Sequence, residues 1–369
     1  YNKFMKNKKV LQKIFKNFFY FIFHLLYGRI KLLTDEANCI INKLEINKIT
    51  IVNKEFDLKN TIYEIPNGRI FTDLVEHVAI IKDNFILPNI SYQQVNSELK
   101  PISFNRVINL GTNRIQKKIK GSIFSLVQGK SGNNYFHFLF DIVVKLRIYQ
   151  EKYSLDKVDY FYVPSVDKWQ KNILSLFGIP EEKLINSQKY RHIKATKVIA
   201  IDHPWYKKGY VQEEIKNLPD WIIFFLREKF LKYSKKFNTS KKIFIDRSDS
   251  KFNHCKLVNN LEVIEYLKSK GFQSYKISEL DFFEQIYLFS NADIIIGPHG
   301  AAFSNIIFSK PGLNIIELIP NKHPSVKCKK ISKILNFNYK RIELDYINNK
   351  ELKHGDMKIE ISQLEKILR

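Results

Sequence analysis

Cysteine is scarce. Cys39, Cys255 and Cys328 are the only three among 369 residues, far apart and without any C-x-x-C pairing. That spacing excludes a disulfide framework and a structural zinc site, and it suits a reducing cytoplasm. Long apolar runs are missing too. The run Phe18 to Tyr27 falls short of the roughly 20 residues a bilayer-spanning helix needs, and it carries no small-residue cleavage site of a secretory signal. There is no Cys/His zinc pattern, aromatic RNA-binding signature or Arg-rich recognition helix, so nucleic acid is not an expected partner. Internal repeats and low-complexity tracts are also absent.

What is present is hydrophobic and basic. The length exceeds that of a usual single core and predicts two domains, and 44% hydrophobic residues with 14% aromatics are ample to fill them. Lys and Arg number 61 against 37 acidic residues, a formal charge of +24. Lys, Asn and Ile are abundant together, a bias of the kind nucleotide composition produces, so only part of this charge is expected to serve function. The remainder favours anionic company, a nucleotide phosphate or an anionic membrane surface. The N-terminal stretch "KNKKVLQKIFKNFFYFIFHLLYGRIK" has a basic flank and an aromatic run. Two readings fit it: a helix lying in a membrane interface, or one docked on the protein's own body. The chain starts at Tyr1, which leaves room for a longer N-terminus.

Pattern divides the chain into five segments: a basic, aromatic helical segment (1–45), an acceptor-side lobe (46–215), an interdomain helix and linker (216–240), a C-terminal lobe (241–345) and a tail helix (346–369). From Ile49 to Leu126 short β-like runs are broken by Asn, Gly and Pro, as in an irregular sheet. "NNYFHFLFDIVVKLRIYQEKY" follows with helical spacing, then "DYFYVP" as a strand, "DKWQKNILSLFGI" as a helix and "ATKVIAID" as a strand. "PDWIIFFLREKFLKY" is a helix and "SKKFNTSKK" a polar linker. Beyond it strands and helices alternate: "KKIFIDR", "NNLEVIEYLKSKG", "FQSYKI", "SELDFFEQIYLFSNA" with a capping box from Ser278 to Asp281, "DIIIG", "AAFSNIIFS", "LNIIELIP", "PSVKCKKISKILN" and "YKRIELDY". Continuous apolar strands alternating with helices predict a parallel sheet covered on both faces.

In "IIIGPHGAAFSN", residues 294–305, a buried strand ends in almost bare backbone and one imidazole. Open parallel sheets bind ligands at the carboxyl ends of their strands, and a helix N-terminus there favours phosphate. Gly297, His299, Gly300 and Ala301 are therefore candidate nucleotide-diphosphate contacts, with a tight turn packed for steric reasons as the plain alternative. Glu317, closing the next strand, is placed to hold ribose hydroxyls. Arg247, closing the first strand of the lobe, offers a fork of donors to phosphate oxygens, although an ion pair with Asp246 or Asp249 would equally explain it.

"GPHGAAFSNIIFSKPGLNIIELIP", preceded by "FEQIYLFSNADIII", resembles the C-terminal signature of glycosyltransferase family 61, and Arg247, Gln285, His299, Gly300, Ala301, Asn305 and Glu317 occupy its positions. "NYFHFLFDIVVKL" matches the family's N-terminal Y-x-H-F-x-x-D helix through Tyr135, His137 and Asp141. Lys256 stands where the family often has Arg, and Asn260 where it often has Glu. The resemblance implies a GT-B fold, two Rossmann-like lobes facing a cleft with the donor in the C-terminal one. It also implies inversion at the anomeric carbon without an essential metal, and no Asp-x-Asp motif is present.

The expected function is transfer of a sugar from a nucleotide-sugar donor to a glycan or lipid-linked glycan acceptor during surface-polysaccharide assembly. It would take place in the cytoplasm, peripherally on the inner face of the membrane, with no cofactor. His137 and Asp141, four apart on one helix face, are the candidate base pair. His299 is the candidate for stabilising the leaving group, and Glu284 is a weaker candidate base whose plain reading is an exposed helix position. The alternative function is a non-catalytic glycan- or nucleotide-binding relative within an assembly complex.

Overall fold

The computed structural model describes residues 2–33, 44–55, 57–74, 76–128, 134–249, 255–347 and 355–368, with side chains in the first helix described at Gln12 and from Phe15 onward. Cys39 lies outside these residues. Cys255 and Cys328 are free thiols, both buried. The fold is mixed α/β. The chain forms two compact units, Tyr1–Val211 and Gln212–Arg369, so the helix read from sequence as interdomain belongs to the second unit.

The first unit opens with helix α1 (Asn2–Tyr27), and no helix among the described residues is long and apolar enough to cross a membrane. A large mixed sheet follows, combining two kinds of pairing. Its antiparallel part contains β1 (Asn47–Asn53), β2 (Leu58–Pro66), β3 (Arg69–Leu74) and β4 (His77–Lys82). Its parallel part contains β5 (Lys117–Ser125), β6 (Tyr160–Val163), β7 (Leu184–Asn186) and β8 (His192–Ile201), in the spatial order β7-β6-β5-β8. The two parts meet at β8, which pairs antiparallel with β2 and β3. Pattern reading found the irregular run and the strands β6 and β8, while their parallel pairing in this unit was expected only from the resemblance to two Rossmann-like lobes.

Between β5 and β6 runs the helix of residues 135–150, here α2. Asn134 caps it, its side chain accepting from the His137 N–H at 3.3 Å. Residues Phe138–Val143 form a π-helical segment, and every one of them is buried. Such widened turns recur at functional sites. Helix α3 (Lys168–Ser175) begins with a reciprocal cap between Asp167 and Gln170.

The second unit starts with α4 (Asp220–Phe230) and holds a five-stranded, wholly parallel sheet. Its strands are β9 (Lys242–Asp246), β10 (Gln273–Lys276), β11 (Ile294–Pro298), β12 (Asn314–Pro320) and β13 (Asn338–Leu344). Their spatial order is β10-β9-β11-β12-β13. Both faces are covered, as the apolar strands require. On one, Phe244, Ile296 and Ile316 pack with Val263 and Leu267 of α5 (Asn260–Ser269) and with Leu364 of the tail helix Ile361–Leu368. On the other, Phe230, Phe282 and Phe308 meet edge to face, and each ring is worth roughly 1.5–3 kcal/mol of burial. Helix α6 (Phe282–Asn291) is capped one turn later than the sequence suggested. Asp281, not Ser278, is the N-cap, and Glu284 answers it from the third position. Residues Ala301–Phe308 are helical as expected but wound as a 3-10 helix, with Phe303 N–H donating to Gly300 O at 3.2 Å.

Candidate functional site

In the second unit the chain leaves β9 and crosses to β10 on one side, then returns to β11 on the other. This reversal is a topological switch point, where open parallel sheets leave a crevice beyond their carboxyl ends. Arg247 follows β9 and His299-Gly300 follow β11, so both flank it. The Arg247 guanidinium donates to the carbonyl of His299. A Cβ built on Gly300 would lie 1.3 Å from Arg247 Nη1, and one on Gly297 would lie 2.7 Å from Ile245 Cβ. The bare backbone is therefore explained first from inside. Gly300 makes room for a guanidinium and Gly297 for the neighbouring strand, which matches the steric alternative of the two readings the sequence left open.

Lys327 opens helix α7 (Lys327–Leu335), and its buried ammonium donates to Gly300 O at 2.8 Å. Two buried cations thus hold the two successive carbonyls of His299 and Gly300. Burial lowers the pKa of both. Glu317 is the buried carboxylate of the cluster, 1% exposed. Its Oε1 lies 2.6 Å from His299 Nδ1 and 3.1 Å from Cys328 Sγ, and its Oε2 accepts from Tyr339 OH at 2.6 Å. With these three donors engaged, Glu317 faces the interior and orients His299. The expected direct hold on ribose hydroxyls gives way to that role. Burial alone would raise the Glu317 carboxyl, yet its pairing with His299 and the hydrogen bonds from Tyr339 and Cys328 bring it down to about 2. Burial lowers His299 below the ordinary imidazole range despite the nearby Glu317, so its resting form is neutral. The proton sits on Nδ1, toward Glu317, which leaves the Nε2 lone pair available.

The remaining candidates of this unit are supports. Asn305, fully buried, donates to Gln285 Oε1 at 2.9 Å, and Gln285 Nε2 donates to Ile277 O and Leu280 O at 3.0 Å each. Together they tie the 3-10 helix to the turn before α6. Glu284 completes the α6 cap and pairs with Lys235 at 3.0 Å, and it is half-buried rather than the exposed position of the plain reading. Asn260 donates to Asp246 Oδ1 at 3.0 Å and so joins α5 to the end of β9. Lys256 meets the tail through its carbonyl, which accepts from Met357 N–H at 2.7 Å. Ala301 is half-buried at the start of the 3-10 helix.

In the first unit His137 and Asp141 come together as their spacing predicted, with Nδ1 to Oδ2 at 2.7 Å. Asp141 is buried and Trp205 Nε1 donates to its Oδ1 at 2.9 Å. His203 Nε2 stands 3.6 Å from Oδ2, while its Nδ1 accepts from the Tyr206 N–H at 2.9 Å, which fixes its tautomer. Burial would raise the Asp141 carboxyl, but His137 and His203 hold it well below the usual range. Lys145, one turn further along α2, is buried and pushed down to about 8. Tyr135 packs its ring on Trp169 with centroids 5.6 Å apart.

Residues 135–316 match the family model described as Glycosyltransferase 61, a segment that starts at the Tyr135 turn and ends within β12. The chain belongs to glycosyltransferase family 61. A 66-residue stretch of this family 61 chain is 38% identical to EGF domain-specific O-linked N-acetylglucosamine transferase of Gallus gallus, covering 18% of the chain. The match spans 12% of that relative's length.

Several residues of these clusters escaped sequence reading. His203 and Trp205 lie just past the carboxyl end of β8, a position that could have flagged them. Lys145 sits four residues after Asp141 and was readable by the same helix-face rule. Lys327, Cys328 and Tyr339 carried no signal. They are a lysine among many, a lone thiol and a tyrosine brought close only by the sheet.

Proposed function

We propose that the chain is a GT-B-type inverting glycosyltransferase, taking a sugar from a nucleotide-sugar donor without a required metal and passing it to a glycan or lipid-linked glycan during surface-polysaccharide assembly. The observation that carries the reading is the pair of buried cations, Arg247 and Lys327, on the carbonyls of His299 and Gly300 at the switch point. Preorganised donors at such a place suit the diphosphate charge that grows as the sugar leaves. In the step proposed, the acceptor oxygen attacks the anomeric carbon and its proton passes to His137 Nε2. The bond from that carbon to the phosphate oxygen breaks, and its electron pair stays with the nucleoside diphosphate. Asp141 holds His137 in the required tautomer, and Glu317 does the same for His299.

Association with the cytoplasmic face of a membrane is part of the proposal. Phe15, Phe18, Phe19, Leu25 and Leu26 of α1 are all exposed and recur at helical spacing, while Tyr27 is held against the first unit. A lipid-linked acceptor would give that stripe a purpose.

The test is thermal unfolding of wild type and His299→Ala with a panel of nucleoside mono- and diphosphates, with and without EDTA. Ligand at a hundredfold over its dissociation constant adds about 2.7 kcal/mol, a readable shift. One diphosphate stabilising the wild type, with EDTA making no difference and the mutant losing the effect, is the expected result. No shift with any nucleotide would overturn the transferase reading and leave the non-catalytic one.

A further inference from the structure

Helix α1 ends against a cavity that none of the chemistry above uses. Gly28, at φ +75°, closes the helix, and its N–H donates to His24 O at 2.9 Å. Beside this end lies a space of about 350 Å³ lined by polar side chains, among them Asn67, Arg69, Asp83, Asn84, Gln116 and Lys194. Arg69 is 7% exposed. It donates to Tyr27 O at 3.1 Å and to Asn84 Oδ1 at 2.5 Å. Among the described residues neither Arg69 nor Lys194 has a carboxylate within ion-pair distance, and Asp83 is taken by Lys82 at 3.3 Å. Burial works against the Arg69 charge, and Asp83, shared with Lys82 and beyond ion-pair distance, offsets it only in part, so an anion bound in the cavity beside Arg69 and Lys194 would stabilise them further. The space falls within the size range of small-ligand pockets.

The neighbourhood says which anion. Leu26 lines the cavity and is 63% exposed, and it continues the outward stripe of Phe15, Phe18, Phe19 and Leu25. A ligand with a phosphate head and apolar tails would meet charge in the cavity and hydrocarbon-compatible surface along the helix. We infer that this cavity receives the phosphate headgroup of an anionic phospholipid in which the α1 stripe is immersed. The inference rests on the membrane reading of α1 given above and adds a headgroup site to it.

The experiment is flotation of the full chain with vesicles of phosphatidylcholine alone or with 30% phosphatidic acid, at one fixed salt concentration. Wild type is compared with Lys194→Gln, Arg69→Gln, Phe18→Ser/Phe19→Ser and Lys168→Gln, the last a control for loss of one surface charge. Wild type should bind the anionic vesicles at least tenfold more tightly than the neutral ones. Lys194→Gln should lose most of that preference while still binding neutral vesicles, Lys168→Gln should keep it, and the Phe variant should lose binding to both. Arg69→Gln also removes a cap from α1, so Lys194→Gln decides if that variant fails to fold. Equal losses in Lys194→Gln and Lys168→Gln, or none in either, would overturn the site. Inorganic phosphate is the second arm. If it stabilises the wild type in thermal unfolding while Lys194→Gln leaves the vesicle preference intact, the cavity serves a soluble anion and the lipid assignment fails. If the Phe variant still binds like wild type, the membrane reading of α1 fails first.

Discussion

The guanidinium of Arg247 occupies the space where residue 300 would carry a side chain, with Nη1 only 1.3 Å from the position a Cβ would take. Gly300 is not needed for an unusual backbone, since its φ of 174° is extended and open to any residue. It is needed for room. Gly300→Ala should push the guanidinium off the His299 carbonyl and lower stability by about 1–3 kcal/mol, with roughly tenfold weaker diphosphate binding at a cost near 1.4 kcal/mol. Once Arg247 is already alanine, the same change should cost less than about 0.5 kcal/mol, because the two effects share one cause. A double-mutant cycle read by chemical denaturation checks this. Additive costs would mean that Gly300 is required for something other than Arg247.

His299 offers a second prediction, in which proton uptake reports on the site. Glu317, His323, Lys327 and Arg247 surround it, and Cys328 meets the same Glu317 oxygen. Burial, aided by the two cations, keeps it below the ordinary imidazole range, so at neutral pH Nε2 is unprotonated. A bound diphosphate adds negative charge and should raise it, because an opposite charge favours the protonated form. Diphosphate affinity should therefore rise as pH falls from 8 to 6, and binding should take up as much as one proton. Calorimetry in two buffers of different ionisation enthalpy measures that uptake directly, and His299→Ala should abolish it. An unchanged uptake in the mutant would assign the proton elsewhere.

Much of the second unit was legible in advance because its signals are local. Three isoleucines before Gly297, a polar linker, and regular alternation of apolar strands with helices point to one sheet whichever way the rest folds. The candidate loop was found for the same reason. What it does inside the fold was not legible, since that depends on which side chains arrive from other strands. Glu317 looks like a strand-end carboxylate in sequence. Only pairing of β12 with β11 and β13 brings it His299 and Tyr339, and only α7 brings it Cys328. In the first unit, by contrast, His137 and Asp141 share one helix face and were readable as a pair. Their partners His203 and Trp205 lie more than sixty residues away and reach them only through the placement of β8.

His192 makes acid stability a test of the first unit. It is fully buried, with Nδ1 3.0 Å from Arg114 O and Nε2 3.1 Å from Gln116 Nε2. In the neutral ring Nδ1 donates and Nε2 accepts, so both partners are satisfied. Burial pushes its pKa down to about 4 from an ordinary 6.5. The unfolded chain therefore binds this proton first, and stability falls as pH drops below about 6.5, with the loss complete near 4. Over that window the shift corresponds to about 3 kcal/mol. His203 is also lowered by burial and should add in the same direction. Denaturation midpoints of wild type and His192→Gln across pH 4 to 8 check this, and the variant should show a visibly flatter profile. A wild-type profile that is flat down to pH 4.5 would contradict the neutral, fully bonded ring.

Asp141 separates the proposed chemistry from donor binding. In the first unit its carboxylate touches His137 at 2.7 Å and Trp205 at 2.9 Å, while the proposed diphosphate site belongs entirely to residues of the second. Asp141→Asn keeps the volume but offers His137 a neutral partner that can turn its amide toward Nδ1, which removes both the charge and the tautomer control. Turnover should fall by about a hundredfold or more, the range expected when a general base is lost. The nucleotide dissociation constant should change by less than about twofold, because no donor ligand has been altered. His203→Gln should act in the same sense but more weakly, and it should move the pH dependence of turnover, since it replaces a titratable group beside Asp141 with one that cannot titrate and leaves the base in place. The two constants are measured on one preparation, turnover by transfer of labelled sugar and affinity by titration with the diphosphate. Equal losses in both would mean that Asp141 supports the fold of the whole chain. Loss of turnover alone would place the base on α2.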